Sequence, residues 1–521
     1  MSDILRRTLS LGSLVALSLT ASVCADVRMP GVFSDHMVLQ RDAAVPVWGW
    51  AAPGERVAVR FGGKSASGVA GKDGKWLVKL PAMTVNAVPQ ELTVSGRNTV
   101  TITDVLVGDV WLGSGQSNME MALRDIEKAK EEMATAAKPL IRLFTVPRNE
   151  KSQVAEDVPS KWAPCTPENI AGFSAVLYLF GREINAEAKV PVGLIHSSVG
   201  GTRIELWTAP EGLAAVPEFA GMTNSINNAE KQFNESLPAK ITAMEEWLPK
   251  AKAALAGGGR VPLMPDWPQH PNPGVGSLYH GMIYPLVPFA LRGFVWYQGE
   301  WNGGEDEIYH QRMKALIAGW RSVWGHADLP FYYVQLARMP EKEHSPWSGN
   351  GLAPTRDAQR RSLDIPHTGM ATIIDLEGSS GWHPGNKQDV GKRLALWALR
   401  NEYGRTNLVA SGPLYTSRRV EGNAIRVSFD SVGSGLVVGT KTGREPMKLT
   451  PDQPLKNFAI AGADKKWVHA RAVISGNDVL VSAPEVAKPA EVRYAYCQDP
   501  VGCNLFNWEG LPASPFKTDE W

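Results

Sequence analysis

The spacing of apolar residues divides the chain into three regions. Up to about residue 105, short segments of alternating polarity such as 57–61 are separated by glycine-containing turns, which is typical of a small β-sandwich. Between about 106 and 405, apolar strands alternate with segments of helical periodicity, which predicts a parallel sheet with helices on both faces. From about 406 to the end the alternating pattern returns. We therefore expect an α/β domain flanked by two β-sandwich-like domains.

The middle region also contains an insertion that interrupts its strand–helix pattern. Residues 209 to about 275 include a helical segment at 229–256 that we expect to break at Pro238 and Pro249. The insertion either shapes a cleft over the active edge or forms a solvated helical hairpin. The regular elements predicted around it are strands at 141–146, 191–196, 292–297, 330–336 and 368–375, and helices at 171–188, 308–324 and 386–403.

Ser117 lies on a turn between a strand and a helix that we expect to continue through Met133. Such a turn exposes a serine hydroxyl at the carboxyl end of a sheet and directs backbone N–H groups at negative charge, which suits a nucleophile and its oxyanion. The alternative is that Ser117 caps the helix. Because sites of parallel sheets lie beyond the carboxyl ends of the strands, we expect Ser117, Gly200-Gly201, Gln298 and the segment after Asp375 to converge there. This convergence favours catalysis.

Composition and the N-terminal segment limit which partners and which cellular compartment we expect for the protein. A chain of 521 residues is long enough for about three domains, and a net charge of +1 gives no reason to expect nucleic acid or an anionic membrane as a partner. Residues 1–25 resemble an export signal, with Arg6 and Arg7 before an apolar stretch too short to span a bilayer. Cys24 raises the alternative of a lipoprotein, but Val23 fits that motif poorly. We expect a periplasmic or secreted protein without a membrane span.

Three cysteines remain after the predicted cleavage. Cys497 and Cys503 are close enough in sequence to close a small disulfide loop, which leaves Cys165 over; the alternative is three unpaired buried thiols. No cysteine spacing matches a zinc site. We expect neither a metal nor another cofactor.

Several sequence blocks resemble those of one known family. The chain is similar to the sialate O-acetylesterases and related carbohydrate acetylesterases of the SGNH hydrolase superfamily over nearly its whole mature length. The resemblance implies a flavodoxin-like, three-layer SGNH hydrolase domain with a parallel sheet, here at 106–405. The blocks that carry it are Phe33-Ser34-Asp35-His36-Met37 near the N-terminus, Gly115-Gln116-Ser117-Asn118-Met119-Glu120, Gly200-Gly201-Thr202 with Glu205 and Trp207, Leu278-Tyr279-His280-Gly281, Trp296-Tyr297-Gln298-Gly299-Glu300, and His383-Pro384 ahead of Lys387.

The resemblance implies roles for particular residues. Ser117 is the implied nucleophile, and His383 is the implied base that activates it and later protonates the leaving sugar hydroxyl. The implied oxyanion donors are the Ser117 N–H, an N–H of Gly200 or Gly201, and the Gln298 side-chain amide. The alternative for His383 is a structural role. However, His383 follows a predicted strand by a short loop, so we expect it to lie near Ser117.

The chain departs from the family at the third member of a catalytic triad. Many bacterial relatives carry an aspartate shortly before the histidine, whereas here Gly381 and Trp382 precede His383. Either Asp375 or Glu377 orients the imidazole, or a backbone carbonyl does. We favour a Ser-His dyad supported by a carbonyl or by Asp375.

Other residues of these blocks are candidates for substrate binding. They are Glu300, Asn302, Arg203 and Trp382, with a structural pairing of Arg203 and Glu205 as an equally good alternative.

These observations predict an exported serine carbohydrate esterase that removes O-acetyl groups by two-step acyl transfer. The substrate is either an acetylated plant polysaccharide, such as xyloglucan or xylan, or a 9-O-acetylated sialic acid. Without an arginine cluster for a sialate carboxylate, and with 18 tryptophans in the chain, we favour the polysaccharide. A non-catalytic carbohydrate-binding protein on the same fold is the remaining alternative.

Overall fold

The structure is a computed structural model that describes residues 26–266, 274–342, 345–376 and 381–521. The predicted signal peptide at 1–25 and Glu377 therefore lie outside the described residues. Within them, helices of four or more residues occur only between 117 and 402. The α/β region and the β-rich C-terminal region predicted from the sequence are thus confirmed.

The strands, in chain order, are β1 (Val38–Gln40), β2 (Val45–Trp50), β3 (Arg56–Phe61), β4 (Lys64–Val69), β5 (Lys75–Leu80), β6 (Asn86–Ser95), β7 (Thr99–Gly115), β8 (Lys138–Thr145), β9 (Ala163–Cys165), β10 (Val192–Ser198), β11 (Gly293–Tyr297), β12 (Phe331–Val334), β13 (Thr368–Ala371), β14 (Leu414–Glu421), β15 (Ala424–Asp430), β16 (Leu436–Thr440), β17 (Lys448–Leu449), β18 (Phe458–Gly462), β19 (Trp467–His469), β20 (Arg471–Ser475), β21 (Asp478–Ser482), β22 (Pro489–Tyr494), β23 (Leu505–Asn507) and β24 (Phe516–Lys517). The helices are α1 (Ser117–Glu120), α2 (Ala129–Ala134), α3 (Pro167–Ile170), α4 (Ala175–Ala188), α5 (Pro210–Ala215), α6 (Ala220–Ala256), α7 (Glu307–Trp324), α8 (Ala353–Arg361) and α9 (Lys387–Glu402).

The central sheet has β7 in its middle. Parallel strands β10 and then β8 lie on one side of it, β11, β12 and β13 lie on the other, and β9 adds an antiparallel edge. Counted along the chain, the parallel strands lie in the order 2-3-1-4-5-6. This order differs from the flavodoxin-like order 2-1-3-4-5, because β10 inserts between β7 and β8. The direction of winding still reverses at β7, where a site is expected.

Both faces of this sheet are covered, as the continuous apolar strands predicted. Every residue of β11 is buried, and alternate side chains enter different cores. Phe294 and Trp296 pack with Trp320 of α7 on one face, while Val295 and Tyr297 pack in the core that α4 and α9 cover on the other. The result is a helix–sheet–helix arrangement.

The N-terminal β-region joins the central sheet without a break. Strand β7 begins in antiparallel pairing with β6 and ends as the central parallel strand of the α/β region. The boundary expected near residue 105 therefore falls inside one 17-residue strand. Because a strand is stiffer than a linker, the turn at its end, which carries Ser117, is held by both regions.

The first helix is much shorter than predicted. Helix α1 ends at Glu120, and Ala122 forms an isolated antiparallel bridge with Ser174 before the chain turns towards α2. The expected continuous helix from Ser117 through Met133 is therefore wrong, since backbone pairing with Ser174, which is distant in sequence, outweighs the helical periodicity.

The insertion contains one long helix instead of a broken one. Helix α6 runs through both Pro238 and Pro249, so the predicted breaks are wrong. Each proline removes one backbone donor, but the surrounding alanine, glutamate and lysine residues favour helix strongly enough to continue it.

The C-terminal region is built from β14–β24 in small antiparallel sheets around one apolar core. Cys497 and Cys503 lie in this region as free thiols, as does Cys165 in the α/β region. The disulfide considered for the first pair is not formed. In the part of the chain that the structure describes, no helix combines the length and apolarity needed to cross a membrane.

Candidate active site

The turn that carries Ser117 is forced by the packing of β7 against β11. Gly115 has φ +138°, and a Cβ there would lie 2.1 Å from the carbonyl oxygen of Tyr297. Glycine is therefore required by both conformation and space. The next residue, Gln116, donates its backbone N–H to the same carbonyl at 3.0 Å. This tight junction places Ser117 directly beyond the carboxyl end of the central strand.

Ser117 is the first residue of α1 and does not cap it. The N-cap position belongs to Gln116, which makes no side-chain cap, and the Ser117 hydroxyl instead contacts His383. The distance from Ser117 Oγ to His383 Nε2 is 2.8 Å. This is hydrogen-bond distance for a base that removes the hydroxyl proton.

His383 lies on the loop that leads into α9. The preceding residue is tied to α1, because Asn118 Nδ2 donates to the Trp382 carbonyl oxygen at 2.8 Å. Burial and the positive charge of Lys387 lower the pKa of His383 below its usual value. The imidazole is consequently neutral near pH 7 and able to accept a proton.

Asp375, predicted as the residue behind His383, is committed elsewhere. Its Oδ1 and Oδ2 accept from Nη1 and Nη2 of Arg393 at 2.6 and 2.7 Å, and its side chain is 1% exposed. A carboxylate in such a bidentate pair is held by the arginine. This pairing is evidence against Asp375 as the group that orients the imidazole, and Glu377 lies outside the described residues.

Of the two candidate glycines, Gly200 already has a partner. Its N–H donates to Glu120 Oε2 at 2.6 Å, and a Cβ on Gly200 would lie 3.2 Å from Ser117 Cβ. Gly201 has φ +71°. Among the described residues, no acceptor is paired with the backbone N–H of Ser117 or Gly201. These two donors are thus available to a ligand.

Gln298 does not offer its amide to the site. The side chain is fully buried, and Nε2 donates to the Thr202 carbonyl oxygen at 3.0 Å and to Asn302 Oδ1 at 2.8 Å. Oε1 accepts from the Tyr309 hydroxyl at 2.9 Å. Both N–H groups are therefore occupied, which is evidence against Gln298 as an oxyanion donor; it braces the glycine loop instead.

Two of the predicted substrate-binding residues are also structural. Asn302 is fully buried and uses its side chain on Ile204, Gln298, Glu205 and Glu305. Arg203 forms the ion pair with Glu205 that the sequence left open as an alternative, with Nε and Oε1 3.0 Å apart. It also contacts Glu305 and donates to the Trp301 carbonyl oxygen at 2.9 Å. These pairings occupy three of the five guanidinium N–H groups.

A cavity of about 690 Å³ opens over Ser117 and His383. Trp382, as predicted, lines it with a side chain that is 46% exposed, and Trp301 lines it with one that is 59% exposed. Sequence reasoning missed Trp301, although its position directly after Glu300 in a quoted block was a usable signal. Other lining residues are Gln116, Glu300, Gly303, Gly304, Gly351, Leu352 and Gln498.

Asn118 and Lys387 are also residues to which the sequence gave no role. Lys387 Nζ donates to Asn118 Oδ1 at 2.5 Å, and Asn118 Nδ2 donates to Glu300 Oε1 at 2.5 Å. Both residues stood in quoted blocks, but only the fold brings the two blocks together. In the described parts of the chain, no group of three or more histidine, cysteine, aspartate or glutamate side chains is arranged to hold a metal.

Comparison with known proteins decides the family. The model of the family described as carbohydrate esterase, sialic acid-specific acetylesterase, matches residues 107–244 and 254–399. The chain belongs to this family. It is therefore a carboxylic ester hydrolase of the carbohydrate O-acetylesterase type, and the resemblance drawn from the sequence blocks is confirmed.

The similarity of this acetylesterase to individual relatives extends beyond the residues that the family model matches. It is 30% identical to mouse (Mus musculus) sialate O-acetylesterase over 559 aligned positions that cover 96% of each chain. It is 31% identical to the human (Homo sapiens) sialate O-acetylesterase over 78% of this chain and 77% of that one. Among solved structures, a carbohydrate acetylesterase from Xanthomonas citri superposes with a TM-score of 0.77 at 34% identity, covering 95% of this chain and 100% of the other. The flanking β-regions are thus shared with relatives.

Proposed function

We propose that this acetylesterase removes O-acetyl groups from neutral plant cell-wall glycans, such as xyloglucan, xylan or their oligosaccharides, by serine catalysis. The observation that carries the proposal is the 2.8 Å contact between Ser117 Oγ and His383 Nε2 at the floor of a cavity flanked by Trp301 and Trp382. A metal-free SGNH-type mechanism accounts for this arrangement.

The first half-reaction forms an acetyl-enzyme. Ser117 Oγ attacks the acetyl carbonyl carbon while its proton passes to His383 Nε2, giving a tetrahedral intermediate. When the bond to the sugar oxygen breaks, His383 returns that proton to the leaving hydroxyl. In the second half-reaction water attacks the same carbon, His383 takes the water proton, and acetate leaves as Ser117 regains its hydrogen.

The tetrahedral intermediate needs donors that are already in place. The Ser117 N–H lies at the start of α1, where the helix favours negative charge, and the Gly201 N–H lies on the adjoining loop. Neither is paired with an acceptor among the described residues. We assign these two as the oxyanion donors, with Gln298 supporting the loop through the Thr202 carbonyl.

The charge of the cavity favours a neutral sugar. Its described lining contains no lysine or arginine, whereas Glu300 contributes a carboxyl group. Arg203, the nearest candidate cation from the sequence, is engaged by two glutamates. A sialate carboxylate would therefore find no lysine or arginine in the described lining, while the apolar faces of a pyranose can stack on Trp301 and Trp382.

A sialate 9-O-acetylesterase is the second candidate function. It is favoured by the name of the matching family and by the names of the mammalian relatives. The two functions differ in the charge of the sugar and not in the chemistry of the ester.

Acetate release separates the two functions. We expect at least about 10-fold higher kcat/KM on acetylated xyloglucan or xylan oligosaccharides than on 9-O-acetyl-N-acetylneuraminic acid, because an unpaired charge in a partly buried site costs on the order of 1–3 kcal/mol. The reverse ratio would assign the enzyme to sialate. If no acetyl ester were hydrolysed, a small aryl acetate included, the catalytic assignment would be wrong.

Glu120 gives a separate prediction about the glycine loop. Its carboxylate ties α1 to the Gly200 N–H, so Glu120→Ala should loosen the loop and lower kcat by about 10-fold, the typical strength of a charge-assisted hydrogen bond being about 1.5–3 kcal/mol. Glu120→Gln keeps an acceptor and should retain most of the activity. Steady-state kinetics on one acetyl ester measures both; a higher kcat in both variants would mean that the carboxylate competes with the oxyanion.

The proposed function also includes export of the enzyme and a division of its chain into three domains. We propose that residues 1–25 direct the enzyme to the periplasm or outside the cell, and that 26–105, 106–405 and 406–521 act as N-terminal β, SGNH hydrolase and C-terminal β domains. Mass spectrometry of the secreted protein, with Asp26 expected at its N-terminus, tests the cleavage.

A further inference from the structure

Lys387 is a buried cation placed where two effects oppose its charge. Its side chain is fully buried beneath the candidate site, and it is the first residue of α9, the end of a helix that repels positive charge. In the described residues, no carboxylate oxygen lies within salt-bridge distance of its Nζ. A lysine in such a place is costly, and costly buried charges are concentrated at functional sites.

What holds the ammonium is an amide and an aromatic ring. Nζ donates to Asn118 Oδ1 at 2.5 Å and lies 5.2 Å from the centroid of the Tyr297 ring. Burial lowers the pKa of Lys387 to about 7, while the charge of Glu300 acts in the opposite direction. The ammonium and the Glu300 carboxyl are thus linked through one amide.

Asn118 connects this cation to both halves of the catalytic pair. It follows Ser117 directly, and with its oxygen fixed by Lys387, its Nδ2 faces two acceptors: Glu300 Oε1 at 2.5 Å and the Trp382 carbonyl oxygen at 2.8 Å. The second bond holds the residue that precedes His383. Because the amide has no unused hydrogen, a rotated Asn118 would lose all these contacts at once.

We propose that Lys387 is a positioning residue for the esterase reaction, which fixes the Asn118 amide so that it clamps the His383 loop to the nucleophile helix. The proposal rests on the catalytic roles proposed for Ser117 and His383. It requires no contact between Lys387 and substrate, since Lys387 is not among the described residues that line the cavity.

The charge of Lys387 also acts on the pKa of His383, and the neighbouring charged groups give the direction of that effect. Burial lowers the pKa of His383, and the charge of Lys387, the first residue of α9, lowers it further. Glu300 faces Lys387 from the turn after β11, and Glu120 lies at the end of α1, on the Gly200 N–H. His383 must be neutral to act as base, so activity is lost as the pH falls through its pKa. Removing the lysine charge raises that pKa and moves the loss to higher pH.

The test is the pH profile of kcat/KM for Lys387→Met and Lys387→Gln on a small aryl acetate. We expect plateau kcat of Lys387→Met to fall by about 10-fold or more, since small misplacements of catalytic groups have effects of up to about 100-fold, and that of Lys387→Gln to fall less; the acid limb should move to higher pH in both. Lys387→Gln can still donate to Asn118 and so serves if the methionine variant does not fold. Asn118→Ala should lower kcat and leave the acid limb nearer to that of the wild type.

Lys392→Met is the matched control, because it removes an exposed lysine from the same helix. It should leave both kcat and the acid limb unchanged. An acid limb at the wild-type position in a folded Lys387 variant, or unchanged plateau kcat in a folded Lys387→Met variant, would overturn the proposal. Activity in a Ser117→Ala variant would instead overturn the proposed function, so the two failures are distinguishable.

Discussion

Replacing Ser117 with alanine is expected to reduce kcat for deacetylation by on the order of 10⁴-fold to 10⁶-fold, because it removes the proposed nucleophile and leaves only binding and the oxyanion donors. His383→Ala should cost a similar factor, since Ser117 Oγ, 2.8 Å from His383 Nε2, is a weak nucleophile without a base. The double variant should be no slower than either single one, because the two residues act as a unit.

Steady-state acetate release from one acetylated oligosaccharide measures these effects. Ser322→Ala, an exposed serine of α7, is the control and should behave as the wild type. Multiplicative losses in the double variant would indicate that the two side chains act independently. Wild-type rates in Ser117→Ala would show that another residue is the nucleophile.

The local pattern of hydrophobic residues was sufficient to predict most helices and strands of the α/β region. The helix predicted at 308–324 is α7, and the strand predicted at 292–297 is β11. These elements carry strong periodicity or a continuous apolar run, so their tertiary environment agrees with their local preference. In the α1 region the tertiary environment opposes the local preference, since backbone pairing between Ala122 and Ser174 ends the helix early.

The candidate site was predictable only where the backbone determines it. A serine on a glycine turn and a histidine before a helix follow from chain topology, and their contact follows from the convergence of strand ends. The direction of a side-chain amide does not: Gln298 is at the expected strand end, but Thr202 and Asn302 occupy its N–H groups. The same holds for Asp375, which Arg393 engages from α9. Packing decides which buried groups pair with each other, and the spacing of residues along the sequence does not show the result.

Arg356 joins the α/β region to the C-terminal β-region and was not visible as an anchor in the sequence. Its guanidinium is fully buried, and it donates to the carbonyl oxygens of Leu336 at 3.1 Å, Cys497 at 2.7 Å, Ala337 at 2.7 Å and Gln498 at 2.8 Å. Burial lowers the pKa of Arg356 to about 10, so the group stays charged at neutral pH. Four carbonyls from two parts of the chain thus share one donor group.

Arg356→Met should therefore lower the free energy of unfolding by about 3–5 kcal/mol, because methionine fills similar space but leaves several buried carbonyl oxygens without a donor. Since Gln498 lines the cavity, catalytic activity should also fall at temperatures below unfolding. Denaturant unfolding measures the first effect, and Arg400→Met on the exposed side of α9 should change stability by less than about 1 kcal/mol. A stable Arg356→Met enzyme would mean that the C-terminal region is held to the α/β region mainly by its apolar contacts, and that Arg356 contributes little to their union.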